Sequence, residues 1–298
     1  MEDRHAEEIF CIDKNSTAYP KRMKECTGMP EKIYVKGTLP KDDAPTAAIV
    51  GARMCSPYGR LQGFRYAKFL SQAGVQVISG LAYGIDAEAH LGALEGEAHT
   101  FAVLGCGVDV CYPARNRRLY ERILRSGGGL VSEYSEGTPA ISWHFPARNR
   151  IISALSDVVL VVEAKERSGS LITAQHAIEQ GKSVYALPGA VQEELSVGCH
   201  KLIYDGAGIA YTPEILLDEW GISGEKVKKK EKRNLVLASD LKLVYSCLDL
   251  RPKNLDFFIS ETGFSPEKIS NLLMELELLG LAREAGRHYY VRGEETGE

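Results

Sequence analysis

The chain is predicted to be an α/β protein with a doubly wound, mostly parallel sheet, followed by a small C-terminal winged-helix domain. Three observations predict this. Between Ala44 and Trp220, short β-branched apolar runs alternate with longer amphipathic ones. The apolar runs are nearly continuous, as parallel strands covered on both faces should be. Beyond a stretch of Lys and Glu at 224–234 the pattern changes to three helical segments and two short closing strands.

Residues 1–43 are read as a short N-terminal extension that holds STAYPKRMKEC and KIYVKG, with one expected strand. The main domain is expected over 44–222. Its strands are TAAIVG, VQVISG, HTFAVLG, GLVSE, DVVLVVEA, SVYALPG and GIAYT. The helical segments between them include YGRLQGFRYAKFLSQAG, GIDAEAHLGALEG, ARNRRLYERILRSG, PARNRIISALS and SLITAQHAIEQG; most close on Gly or Ser-Gly, as helix ends often do. The segment TPEILLDEW (212–220) could serve as core or as a dimer surface. GEKVKKKEKRN lacks apolar periodicity and reads as a charged linker, 223–237, with Lys228 to Lys232 belonging to it.

Residues 238–293 have the order of a winged helix. In its third helix, 265–280, Ile269, Leu272, Leu273, Leu276 and Leu279 share one apolar face, behind Ser265 as N-cap and Pro266 at the first helical position.

Composition narrows the function classes. With 298 residues, 44% hydrophobic and 26% charged, there is material for one large and one small domain. The N-terminus is charged and DVVLVVEA is too short to cross a bilayer, so the expectation is a cytoplasmic protein with no membrane partner. Seven scattered cysteines without a CxxC pair fit a reducing compartment, with Cys106 and Cys111 read as structural. The net charge of −4 means that any nucleic-acid role must rest on a local basic patch.

Strand ends in such a sheet deliver loops to one edge, where main-chain N–H groups and helix N-termini favour an anion. Four glycine loops fit: 51–59, 79–86, 104–116 and 166–170. None has Walker A or GxGxxG spacing. The pentapeptide PARNR occurs twice, at 113–117 and 146–150. With Pro113 and Pro146 in first turns, Arg115, Arg117, Arg148 and Arg150 lie near helix starts, where the macrodipole disfavours cations. Each arginine could be balanced by an internal carboxylate such as Glu133 or Glu163; as a set with Arg53, they favour a row of phosphates. Trp143, His144 and Phe145 precede the second copy. Aromatics beside basic residues suit single-stranded nucleic acid, whose bases stack while the cations follow the backbone; Trp143 and Phe145 could equally be staple or core residues.

Enzyme signatures are sparse. There is no HExxH, no GxSxG and no metal-spaced cluster, and the Asp86/His90 pair reads more readily as capping than as catalysis.

The succession IVGAR (49–53), SGLAYGIDAEAH (79–90), AVLGCGVDVCYP (102–113), SEY (132–134), FPARNRIISALSDVVLVVEA (145–164), SGSLITAQHA (168–177) and ALPG (186–189) resembles the DprA/Smf family of DNA-processing proteins. The likeness extends forward to YPKRMKE and IYVKG, and the tail resembles the winged helix that many members carry. The resemblance implies an extended Rossmann-type domain that binds single-stranded DNA, protects it from nucleases and helps load the RecA recombinase during natural transformation. It implies a homodimer, no cofactor and no enzymatic activity. Carried over by residue, Arg53 is the leading basic contact, and Gly51, Ser79, Gly80, Arg148, Asn149, Arg150, Ser168, Gly169 and Ser170 form the phosphate pocket. Arg115 and Phe145 are further DNA contacts. The second PARNR matches the family's FPxRNR motif, whereas the first matches only YP followed by a helix-starting Asn.

Two departures are expected. The N-terminal helical domain of many members is absent here or reduced to a short segment. The third winged helix carries Glu267, Glu275 and Glu277 against Lys268 alone, so it should not read a DNA groove; Arg283, Arg287 and Arg292 of the hairpin remain available. The rival function is a phosphoribohydrolase-like enzyme acting on nucleotide phosphates. Against it, Gln175 and His176 stand where that group's PGGxGTxxE motif has its glutamate. A nucleotide-sensing transcription regulator is a third reading, disfavoured by the acidic third helix.

Overall fold

The computed structural model describes residues 8–223, 239–249 and 251–293. The chain divides into two compact units, with the division after Lys230. Of the expected linker, only Ser223 lies within the described residues, and Lys228 to Lys232 lie outside them.

The larger unit is built on a nine-stranded sheet. Its strands are β1 (Ile9–Asp13), β2 (Lys32–Gly37), β3 (Thr46–Val50), β4 (Gln76–Ser79), β5 (Thr100–Leu104), β6 (Gly129–Ser132), β7 (Val158–Val161), β8 (Ser183–Ala186) and β9 (Gly208–Ile209). They are ordered β1-β2-β6-β5-β4-β3-β7-β8-β9. From β6 to β9 every neighbouring pair is parallel. The strand order reverses between β3 and β7, which are adjacent in space but far apart in sequence. In open α/β sheets this switch point opens a crevice at the carboxyl ends of the strands.

The strands are apolar throughout because each face has its own helical layer. In β3, Ala47 and Ile49 point into one buried cluster while Ala48 and Val50 point into another; Val158/Leu160 and Val159/Val161 of β7 divide in the same way. Helices α2 (Pro57–Gln72) and α3 (Ile85–Ala93) cover the first face, through Tyr66, Leu70, Ile85 and Ala89. Helices α5 (His144–Ala154) and α6 (Gly169–Glu179) cover the second, through Ile151, Ile152, Ala174 and Ala177. Between them in sequence, α4 (Arg117–Arg125) packs Leu119, Tyr120 and Ile123 against β5 and β6.

The N-terminal extension differs from expectation. It supplies two strands, and both continue the main sheet: β1 pairs with β2, and β2 with β6, in antiparallel registers. A four-residue helix, α1 (Lys21–Lys24), lies between them. Tyr19, Met23, Ile33 and Val35 are buried in the same core as β5 and β7. The strand IFCID gives little sequence signal because only Ile9 and Ile12 are partly covered at the sheet edge and the other three side chains are exposed. Helix α7 (Val197–Tyr204) is a further element beyond the sequence expectation, and the expected strand GIAYT shrinks to the two residues of β9. Residues Pro213–Trp220 form a 3-10 helix whose Leu216 and Leu217 are fully buried, and whose Trp220 indole donates to Asp157. Leu216 and Leu217 thus belong to the chain's own core, with Ile215 and Trp220 partly buried against it.

The smaller unit contains α8 (Ser239–Cys247), α9 (Leu255–Thr262) and α10 (Pro266–Leu278), with strands β10 (Lys253–Asn254), β11 (Ala282–Gly286) and β12 (Tyr289–Arg292) in the order β10-β12-β11. Ser265 caps α10 by accepting from Lys268 N, with Pro266 at N1. Ile269, Leu273 and Leu276 are buried against Leu241, Val244 and Phe258, with Leu272 packed beside them. Leu279 leaves that face as the C-cap residue and is half exposed. Lys268 is engaged by Asp240 at 2.8 Å, while Glu267, Glu275 and Glu277 face outward.

Candidate nucleic-acid interface

A cleft of about 590 Å³ opens at the carboxyl ends of β3 and β7, where the strand order reverses. The loop after β3 contributes Gly51, Arg53 and Met54; the loop after β4 contributes Ala82; the loop after β5 contributes Tyr112. Helix α5 contributes Phe145, Arg148 and Asn149, and the loop after β7 brings Lys165, Arg167 and Ser168, with Gly169 and Ser170 in the first turn of α6.

The floor is a hydrogen-bonded frame. Asn149 Nδ2 donates to the Gly169 carbonyl at 3.1 Å, and Ser168 caps α6 with its hydroxyl 2.8 Å from that of Ser170. The N-terminus of an 11-residue helix therefore opens on the cleft with its dipole favouring an anion. Behind the floor, Arg148 is buried, donating to the carbonyl of Gly80 at 2.8 Å and to that of Val103. Burial lowers its pKa to about 10, with the Asp86 carboxylate opposing the shift. Asp86, also buried, accepts from Gly80 N at 3.1 Å. Burial raises its pKa, opposed by Arg148 and by the main-chain N–H groups of Ala82 and Gly80.

Arg53 is different. It is exposed, lies with Cζ 5.3 Å from the centroid of the Phe145 ring, and has no ion pair among the described residues. Phe145 in turn packs against Tyr112, with ring centroids 5.3 Å apart and planes 31° apart. Trp143 stands on the same helix start with 68% of its surface exposed, so it is neither staple nor core. His144 takes the inward place, stacked on Tyr134 at 3.8 Å and 3.1 Å from the Gly105 carbonyl. The cleft therefore offers an unpaired cation, a helix N-terminus and a partly open aromatic wall.

Gly51, Arg53, Phe145, Arg148, Asn149, Ser168, Gly169 and Ser170 all line the cleft. Ser79 and Gly80 lie a layer behind it: the Ser79 hydroxyl donates to Ile49 O at 2.6 Å, and Gly80 is enclosed between Asp86 and Arg148. Arg150, expected in the phosphate pocket, lies outside the cleft lining. Two residues along a helix turn the direction by about 200°, so with Arg148 inward at the cleft Arg150 faces away and binds Glu133 at 2.7 Å. Nor do Arg148 and Arg150 occupy a first turn, because α5 begins at His144 and Pro146 is its third residue. In the first PARNR, Pro113 caps a 3-10 turn, Ala114–Asn116, that leads into α4. Arg115 is exposed there and outside the cleft lining, and Arg117 pairs with Glu121 at 3.0 Å. Sequence reasoning missed Tyr112, Met54, Lys165 and Arg167; Tyr112 and Arg167 stand in loops whose glycines carry the stronger signal.

The enzyme signals disperse. His90 is fully buried with Nδ1 2.7 Å from Thr100 Oγ1, and burial takes its pKa down to about 3. It does not line the cleft beside Asp86. Gln175 and His176 both turn to Glu179. All seven cysteines are free thiols, and among the described residues no His, Cys, Asp and Glu cluster could hold a metal.

The family model described as DNA recombination-mediator protein A matches residues 10–221, which take in the whole cleft. The chain belongs to this family. Among its DprA/Smf relatives, Protein Smf of Escherichia coli is 44% identical over 207 residues, 70% of this chain and 55% of that protein, so the match spans little more than half of the relative's length. The DNA processing protein DprA of Streptococcus pneumoniae is 42% identical over 202 residues, 68% of this chain and 71% of that protein. The solved structure of the S. pneumoniae DprA superposes with a TM-score of 0.66 and 38% identity over 72% of this chain and 75% of that one. A structure of DNA processing protein A from Helicobacter pylori, described by its single-stranded DNA binding mode, gives a TM-score of 0.63 and 28% identity over 75% of this chain and 97% of that one. The DprA family match ends before the smaller unit begins. Among the described residues no helix is long and apolar enough to cross a membrane.

Proposed function

We propose that this DprA-family chain binds single-stranded DNA without sequence preference in the cleft, shields it, and helps load RecA onto it in recombination and natural transformation. One observation carries the reading: the exposed, unpaired Arg53 lies over Phe145 at the switch-point cleft onto which the N-terminus of α6 opens, and the exposed Trp143 stands two residues before Phe145. Phosphates sit against Arg53 and the main chain of the 168–170 loop, and bases lie along the aromatic wall. The role is non-catalytic and cytoplasmic, requires no cofactor, and is carried out by a homodimer whose two clefts add avidity. The smaller unit, which we take as a winged helix, contributes protein contacts or DNA contacts through Arg283, Arg287 and Arg292, because its α10 presents carboxylates.

The test is fluorescence anisotropy with matched single-stranded and duplex oligonucleotides across a salt series. Wild type should prefer the single strand, with affinity falling as salt rises. Arg53→Ala should bind at least tenfold more weakly with an unchanged melting temperature. Equal affinity for the duplex, or full binding by Arg53→Ala, would sink the reading. Release of free base from a nucleoside monophosphate would favour the phosphoribohydrolase alternative.

A further inference from the structure

Helix α4 carries arginines far beyond what its packing needs. Its inward face is Leu119, Tyr120 and Ile123. Outward, Arg118, Arg122 and Arg125 follow at i, i+4 and i+7, and Arg115 stands three residues before Arg118 in the preceding turn. All four are exposed. Spacing of three and four places Arg118, Arg122 and Arg125 in one row, and the row from Arg115 runs about 15 Å at 1.5 Å per residue.

The opposing carboxylates are few. Glu121 is shared by Arg117 at 3.0 Å and Arg125 at 3.5 Å, and Glu95 reaches Arg122 at 3.3 Å. These pairs are solvent-exposed, so they hold the arginines weakly and can exchange for another anion. Arg115 and Arg118 have no anionic partner among the described residues. Both lie at the N-terminal end of α4, where the helix dipole disfavours a cation unless an anion is near.

The stripe starts at the cleft. Tyr112, part of the cleft wall, precedes Arg115 by three residues. Asn116 Nδ2 ties the turn to the carbonyls of Leu81 at 2.9 Å and Ala82 at 3.2 Å, and Ala82 is itself a cleft residue. The beginning of α4 is thus fixed to the cleft rim by the same loop that forms its side.

We propose that the arginine row of α4 is a second phosphate track, which takes the sugar-phosphate backbone of a single strand where it leaves the cleft past Tyr112. This rests on the single-strand reading given above and extends it from a pocket to a path. Arg118 and Arg122 are its diagnostic residues, since neither belongs to the cleft.

The test compares the full-length protein on a short strand of about six nucleotides and a long one of about 20, bracketing the usual site sizes of single-strand binders. For Arg118→Ala/Arg122→Ala, the slope of log K against log salt should fall by about 1.4 on the long strand, about 0.7 for each phosphate that is no longer neutralised, and stay unchanged on the short one. Arg118→Lys/Arg122→Lys should restore the wild-type slope, which misfolding of the alanine variant would not allow. An unaltered slope on the long strand overturns the track, as does an equal fall on both lengths. If wild type binds neither strand, the single-strand reading itself fails, and Arg53→Ala shows the same null.

Discussion

Arg148 donates to the main-chain carbonyl of Gly80 across 2.8 Å, joining α5 to the loop after β4 beneath the cleft floor. The Gly80 amide is held by Asp86, so one peptide segment is gripped by both members of a buried, oppositely charged pair. Removing one member leaves the other charge buried without compensation. Arg148→Ala should therefore cost about 3–5 kcal/mol, a fall in melting temperature on the order of 10 °C for a unit of this size. Calorimetry on Arg148→Ala and Arg53→Ala separates the two arginines: the first should lose stability, and the second only DNA affinity. Equal melting temperatures for both would show that Arg148 is not a frame residue.

The same frame depends on the absence of a side chain at position 80. A Cβ built on Gly80 would lie 2.5 Å from Arg148 Nη2 and 2.6 Å from Asp86 Oδ2. Gly80→Ala should displace the guanidinium at a cost of roughly 1–3 kcal/mol, the usual range for overpacking. Gly84 is a separate case: it begins α3 with φ +71, and its added Cβ would lie 2.6 Å from Arg53 O. Gly84→Ala should be at least as damaging and should also shift the Arg53 loop, seen as weakened DNA binding at temperatures where the protein is still folded.

Trp143 provides an optical reporter. The chain has two tryptophans, and Trp220 is committed to Asp157, partly buried against the core. In a Trp220→Phe background, the remaining indole should be quenched by a single-stranded oligonucleotide and left bright by an abasic strand of the same length. Trp143→Ala should weaken binding roughly fivefold, about 1 kcal/mol, at the low end for base stacking. Quenching by the abasic strand would contradict a stacking role.

Asp157 ties the N-terminal extension to the end of the main domain. It accepts from Arg22 Nε at 2.9 Å, from Thr46 N at 2.9 Å and from the Trp220 indole at 3.1 Å. Burial would raise its pKa, but the hydrogen bonds from Arg22, Thr46 and Trp220 outweigh it and hold the carboxyl below its ordinary value. A depressed carboxylate contributes stability above its unfolded pKa, about 3.9, and loses it as pH falls through the folded pKa. Asp157→Asn should cost on the order of 2 kcal/mol at pH 7, and the gap from wild type should close below about pH 4. A gap that persists in acid would mean that the carboxylate charge is not the source.

Period and punctuation made the sheet legible in the sequence. The runs at β3 and β7 are apolar on both faces, which only a covered parallel strand requires, and the glycine loops after β3, β4 and β7 marked the edge where the cleft opens. Residue type also made the chemistry of the site legible, through Arg53, Phe145 and the serines that begin α6. Strand partners were not legible, because β2 reaches β6 across almost a hundred residues, and a five-residue edge strand such as β1 has too little buried surface to announce itself. Nor could sequence separate the arginines of the second PARNR. They share one motif, yet a rotation of about 200° along α5 puts Arg148 into the frame behind the cleft and Arg150 onto Glu133. Local sequence sets residue type and periodicity, whereas the direction of a charge relative to a cleft depends on how each helix is rotated against the sheet, and only tertiary packing determines that.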